Sequence, residues 1–169
     1  MTRPPKALLL SPLLVLTLLG AAAPAFAKPK IELSISQAKE VVEVKAGVRS
    51  AKLVPTKEAA PGEVLEYTLT YSNTGDEPAR DAVIDDPIPK GSSYLPGSAA
   101  GEGAEITFST DGGKTFAPAV KLTYELRLPS GQVEKRSATP SDYTTVRWTV
   151  KSVPPGAKGK VSFRVRING

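Results

Sequence analysis

Apolar and polar residues alternate along most of this chain, and that habit limits the fold more than any motif does. From Glu63 to Asn73, Leu65, Tyr67, Leu69 and Tyr71 fall on one side; Glu66, Thr68, Thr70 and Ser72 fall on the other. Lys160 to Asn168 sets Val161, Phe163, Val165 and Ile167 against Ser162, Arg164 and Arg166. Further rows of period two are Val146, Trp148 and Val150; Leu122, Tyr124, Leu126 and Leu128; Ile106 and Phe108; and Ile31, Leu33 and Ile35. Such a row turns one face to a core and the other to water, as a half-buried strand does. Turn chemistry separates the runs: Pro61-Gly62, Asn73-Thr74-Gly75-Asp76, Pro87-Ile88-Pro89-Lys90-Gly91, Asp111-Gly112-Gly113, Pro129-Ser130-Gly131 and Pro154-Pro155-Gly156. With 16 Pro and 14 Gly in 169 residues, long helices have little room. The one helix-compatible stretch, Gln37 to Ala46, holds Val41, Val42 and Val44 and reads as strand. The expected fold is all-β, an antiparallel sandwich whose strands each bury one face.

The first 27 residues have a different character. Arg3 and Lys6 precede an apolar run from Ala7 to Gly20, and Ala21 to Ala27 supply small residues. This is the pattern of a signal peptide, with cleavage expected after Ala27, Ala23-Pro24-Ala25 offering a second site after Ala25. The apolar run is shorter than the ~20 residues of a membrane span. No Cys follows to carry lipid, and no second apolar stretch follows to span a membrane. The expected destination is outside the cytoplasm: periplasm, cell surface or medium. The mature chain then runs from Lys28 to Gly169. Residues 28–60 read as a leading strand with a mobile connection, and 61–169 as the sandwich.

Composition removes several chemistries. The chain has no His and no Cys, so Ser-His-Asp triads, Cys nucleophiles, disulfides and ordinary zinc, haem or iron–sulfur sites are out. Of the 22 Lys+Arg, Arg3 and Lys6 go with the leader, leaving 20 against 17 acids, a net of +3. That balance gives no electrostatic footprint for nucleic acid. There is no G-x-S-x-G elbow, and no serine–lysine dyad of the S-x-x-K kind is expected. Paired carboxylates are a tertiary matter that spacing does not decide. The chain is expected to be no enzyme and to hold no cofactor.

One long stretch carries a resemblance. Pro61 to Gly75 (PGEVLEYTLTYSNTG), Ala79 to Gly91 (ARDAVIDDPIPKG) and Tyr94 to Ser98 resemble the prokaryotic conserved-repeat domain called domain of unknown function eleven. Arg147 to Val150, Pro155 to Ala157 and Val161 to Val165 continue the likeness to about Ile167. The resemblance implies an immunoglobulin-like β-sandwich of about seven to nine strands, of the kind found on exported envelope proteins. It implies no catalytic residues. The motif also makes physical sense. Asn73-Thr74-Gly75 suits a tight or left-handed reversal. Pro87 and Pro89 cannot donate to a ladder and so end the strand that closes at Asp86.

Four features could carry function. Ser109 to Phe116 fits S-x-D-x-G-x-T-F, which resembles the Asp-box turn of sialidase-type propellers. A propeller needs several blades, so the expectation here is a self-satisfied hairpin turn. Asp81, Asp85 and Asp86, with Asp76 and Glu77, could offer oxygens to calcium, but Asp85 and Asp86 must face opposite sides of a strand. Trp148 reads as the central core aromatic. Arg147, Lys151, Lys160, Arg164 and Arg166 alternate with core residues on two strands expected to be neighbours, giving one basic contact face for an envelope protein or polymer.

The function expected is that of an exported, non-catalytic structural or interaction module of the cell envelope. The irregular segment Ile31 to Lys52 is a candidate edge, or a strand exchanged between subunits. A second reading is a soluble binding module for carbohydrate or another anionic polymer, to be checked at Tyr94, Phe116 and Tyr143. A third is a small hydrolase, which a buried acidic pair in a cleft would support.

Overall fold

A computed structural model describes residues 28–45 and 48–169. The expected signal peptide lies outside the described residues. The strands are β1 (Ile31–Lys45), β2 (Val48–Pro55), β3 (Val64–Asn73), β4 (Ala79–Pro87), β5 (Ser92–Tyr94) and β6 (Ala100–Gly101). They continue with β7 (Ala104–Ser109), β8 (Thr123–Arg127), β9 (Val133–Ser137), β10 (Thr145–Val153) and β11 (Lys158–Ile167). Two short 3-10 turns, Ala119–Lys121 and Pro140–Asp142, are the only helical elements among the described residues. No helix among them is long and apolar enough to cross a membrane.

All pairings are antiparallel. The wider sheet runs β2-β1-β3-β11-β5, with β6 also on β11; the narrower runs β4-β10-β7; β8 and β9 form a separate hairpin. Among the described residues there are eleven strands: nine, β3 to β11, lie in 61–169, and β1 and β2 lie in the leading segment 28–60. Several are pieces that periodicity does not reveal. β5 and β6 have three and two residues, and β9 (VEKRS) is exposed throughout with no apolar row.

The alternating rows meet between the sheets. Leu65, Leu69 and Tyr71 of β3, with Val161, Phe163 and Val165 of β11, face Val146, Trp148 and Val150 of β10, Ile84 of β4 and Phe108 of β7. Trp148 is fully buried, its ring 5.9 Å from Phe163 across the interface. Tyr67 stacks on Phe163 at 5.4 Å. Tyr94, Phe108 and Tyr143 close one end of the core, with ring centroids 4.6–5.5 Å apart. Tyr71 lies across Gly159, its partner in the ladder, where any side chain would collide with the ring. The row Leu122 to Leu128 keeps its alternation but is covered less fully: Leu122 is buried, while Tyr124, Leu126 and Leu128 are half-buried on a strand that pairs with β9 alone.

Asn73 does more than its turn motif suggests. It is 1% exposed. Its Nδ2 donates to Glu77 O (2.7 Å) and Val153 O (2.8 Å), while its Oδ1 accepts from Lys30 N (3.1 Å) and Gly75 N (3.0 Å). One amide therefore ties the start of β1, the β3–β4 turn and the end of β10 together. Gly75 does not adopt a positive φ. It is needed because the backbone of Lys28 to Lys30 passes where its Cβ would stand.

Replacing Asn73 by Ala strands two donors and two acceptors, so we expect a loss of roughly 2–4 kcal/mol in urea unfolding. A loss below about 1 kcal/mol would mean that these three segments do not depend on the amide.

Candidate interaction surface

The wide sheet overhangs the narrow one. β1 and β2 lie beyond β3 at one end of the wide sheet and give no residue to the core, so they project past it. Their alternation is real, but much of it has no partner layer. Of the eleven large apolar side chains exposed among the described residues, eight lie here: Ile31, Leu33, Ile35, Val42, Val44, Val48, Leu53 and Val54. Leu33 is 48% exposed and Val48 69%. Isolated surface apolar residues are ordinary; a concentration on two adjacent strands marks a contact surface.

Register sorts them. Leu33 pairs with Tyr71 and Ile35 with Leu69, so Ile31, Leu33 and Ile35 share the core-side face of the sheet, yet among the described residues they stay exposed and outside the core. Val42 and Val44 lie on the opposite face with Ala51. β1 pairs with β3 along Ile31–Lys39 and with β2 along Ala38–Lys45, so its second half leaves the sandwich as a two-stranded arm.

The root of the arm is held electrostatically. Arg164 donates from Nε to Glu66 (2.7 Å) and from Nη1 to Glu40 (2.9 Å), and Lys39 pairs with Glu63 (3.0 Å). The β4 edge of the narrow sheet is blunted. Asp81 takes a φ of 47° inside β4, its pairing with β10 is interrupted there, and the strand ends at Pro87. A kinked edge is a poor template for another strand. β1 from Ile31 to Ser36 carries no such device.

The basic face predicted from sequence is not assembled. Arg147 and Lys151 lie on β10 in the narrow sheet, while Lys160, Arg164 and Arg166 lie on β11 in the wide one. Consecutive strands were expected to pair, but the chain crosses between layers at Pro154-Pro155-Gly156, so the two groups look out from opposite sides. Several of the cations are also engaged. Arg147 makes a bidentate pair with Asp85 (2.7 Å for each bond), which raises its pKa, and its guanidinium lies 3.6 Å from the Phe116 ring centroid. Arg164 is in the cluster at the root of the arm, and Arg166 donates to Gly62 O (3.1 Å).

The Asp-box-like turn is self-satisfied as expected. Asp111 Oδ1 accepts from the amides of Lys114 and Thr115 (3.0 Å each) and from Ser109 Oγ (2.7 Å). Thr115 Oγ1 donates to Asp111 Oδ2 (2.6 Å). Hydrogen bonds from Thr115 and Ser109 hold the Asp111 carboxyl well below the usual carboxylate range. The sequence holds one S-x-x-K spacing, at Ser36-Gln37-Ala38-Lys39. On β1, however, residues three apart face opposite ways. Ser36 Oγ donates to Thr68 O (3.4 Å) while Lys39 pairs with Glu63, so no dyad forms. Tyr94 and Tyr143 are core residues, and Phe116 lies beneath Arg147, so these three make no exposed aromatic strip. Among the described residues no three carboxylates converge as a metal ion would require.

Asp85 and Asp86 do face opposite sides. Asp85 meets Arg147 outside; Asp86 turns inward, and its Oδ2 is shielded without a hydrogen-bond partner. Burial pushes its pKa up to about 6. No family model, curated protein or solved structure matches this chain.

Asp86 yields a pH prediction. Between its ordinary value near 4 and about 6, the folded chain holds a proton that the unfolded chain has lost. Stability from this group therefore falls as pH rises through that window. Asp86→Asn should raise stability at pH 7.5 by about 1 kcal/mol, a figure reduced because the carboxyl is only half buried, and should have little effect near pH 4. Thermal unfolding at the two pH values checks this. A wild type that is the more stable form at pH 7.5 would refute it.

Proposed function

We propose that this protein is an exported, non-catalytic module of the cell envelope, and that it works by contact through the β1–β2 edge and arm. The observation that carries the reading is the gathering of eight exposed apolar side chains on two strands that overhang the core. Two strands of a Cys-free domain that relies on its core would not leave such surface to water without a use for it. The leader-like segment, residues 1–27, supports export. The resemblance of Pro61 to Ile167 to the conserved-repeat domain supports an immunoglobulin-like arrangement and an envelope setting. The dispersal of the cations over two faces moves the contact from charge to apolar surface and open backbone.

The test is fractionation of cells expressing the chain with a C-terminal tag. We expect a product shortened by the leader, recovered with the envelope. Val42→Lys, Val44→Lys and Leu53→Lys together should move it to the soluble extracytoplasmic fraction with an unchanged melting temperature. A full-length product in the cytoplasm would overturn export. Envelope retention by the triple variant would overturn the role of the arm.

A further inference from the structure

The open edge of β1 has a self-complementary sequence and backbone. We propose that it pairs with the same edge of a second copy, antiparallel, with Leu33 facing Leu33 across a two-fold axis, joining two wide sheets into one. This deepens the reading of β1–β2 as the contact surface and rests on it.

Backbone direction comes first. Thr74 N donates to Lys30 O (2.8 Å) and Lys30 N donates to Asn73 Oδ1, so the amide groups of Lys30 point toward β3. Alternation then points those of Glu32, Ser34 and Ser36 the same way, and those of Ile31, Leu33 and Ile35 outward. Gln37 agrees, since its carbonyl accepts from Thr56 N (3.3 Å) on the outer side. β2 pairs only from Ala38 onward. Among the described residues, therefore, Ile31, Leu33 and Ile35 present free N–H and C=O groups along an edge without a kink.

Three registers about a two-fold axis can be compared. With Leu33 on the axis, Leu33 opposes Leu33 and Ile31 opposes Ile35. All three outward-facing residues of each copy then sit in hydrogen-bonded pairs, and six bonds close the seam. The apolar rows meet on the core side, where each copy lacks cover. On the other face Glu32 opposes Ser34 and Lys30 opposes Ser36, so no like charges meet. The ladder stops where Pro29 of the second copy, which has no N–H to give, comes opposite Gln37, whose carbonyl is already taken. With Glu32 on the axis, Glu32 faces Glu32 and Pro29 faces Ile35. With Ser34 on the axis, Ile31 faces Gln37, whose acceptor is used. Self-pairing thus selects one register. The axis stands perpendicular to the sheet, so both narrow sheets lie on the same side, and the six apolar residues form the floor between them.

The seam is short, so the dimer should dissociate in the micromolar range, like other small interfaces. The chain has no Cys, which makes single cysteines clean reporters. The experiment uses residues 28–169, the form expected after export. Sedimentation from about 1 to 100 μM should show a monomer–dimer equilibrium. Leu33→Lys, which sets like charges across the axis, should keep the chain monomeric at an unchanged melting temperature. Under mild oxidation, Leu33→Cys should cross-link with itself at least tenfold faster than Ile31→Cys, whose two copies would lie ~13 Å apart along the strands. Mixing Ile31→Cys with Ile35→Cys should restore cross-linking. Only monomer across the range, a dimer indifferent to Leu33→Lys, or equal cross-linking of Leu33→Cys and Ile31→Cys would overturn the proposal. Failure here, with the arm triple variant still released from the envelope, would leave contact through the arm standing with a partner other than a second copy.

Discussion

The structure depends on a mismatch of width: a three-stranded sheet packs against a larger one. Where the sheets overlap, Trp148 and Phe163 fill the gap between them and exclude water. Where they do not, the same alternation of residues continues into solvent. β1 shows both sides of this. Its ladder with β3 is unbroken from Ile31 to Lys39, so it is as much a part of the sheet as β3. Its apolar row nonetheless stays exposed and outside the core, because the narrow sheet has only three strands. The hydrophobic contact that stabilises the middle of the molecule thereby creates the exposed surface at its side.

Charge serves the fold more than it serves a site. Arg164 sits outside the core but between two acids, Glu66 beside it on the sheet and Glu40 at the root of the arm. Its fork matches two carboxylates at once, which a lysine could not do with the same geometry. Arg147 likewise joins Asp85 on β4 to Phe116 beyond the Asp-box-like turn. These pairs are half exposed, so each adds modestly to stability, and their larger effect is to set where the arm and the turn lie. Asp86 is the exception: a carboxyl turned inward without a partner, which the packed sheets tolerate by keeping it protonated to higher pH.

Much of the fold was legible from the residues, and the reasons are local. The rows through Leu69, Phe163 and Trp148 read directly as strands and lie in the core. Ser109 to Phe116 read as a closed turn, and Asp111 satisfies itself within six residues. Asn73 and Gly75 read as turn residues, and Asn73 does bond Gly75 and Glu77 within the turn; what the motif does not reveal is that Asn73 also cross-links distant segments and that Gly75 makes room for Lys28 to Lys30. The proposed basic face failed at the same kind of step. It required β10 and β11 to be neighbours, and the connection between them changes sheet instead of turning within one.

From its sequence alone, the chain was bound to be made of antiparallel strands, without histidine or cysteine chemistry, and with short turns rich in glycine and proline. Periodicity carries that much because it depends on a residue and its near neighbours. Only the tertiary structure decided which strands share a sheet, and therefore which apolar rows are covered. Ile31-Leu33-Ile35 and Leu65-Tyr67-Leu69 are equally apolar as written. Their fates differ because cover comes from strands far along the chain, and three strands cannot roof the whole of the wider sheet.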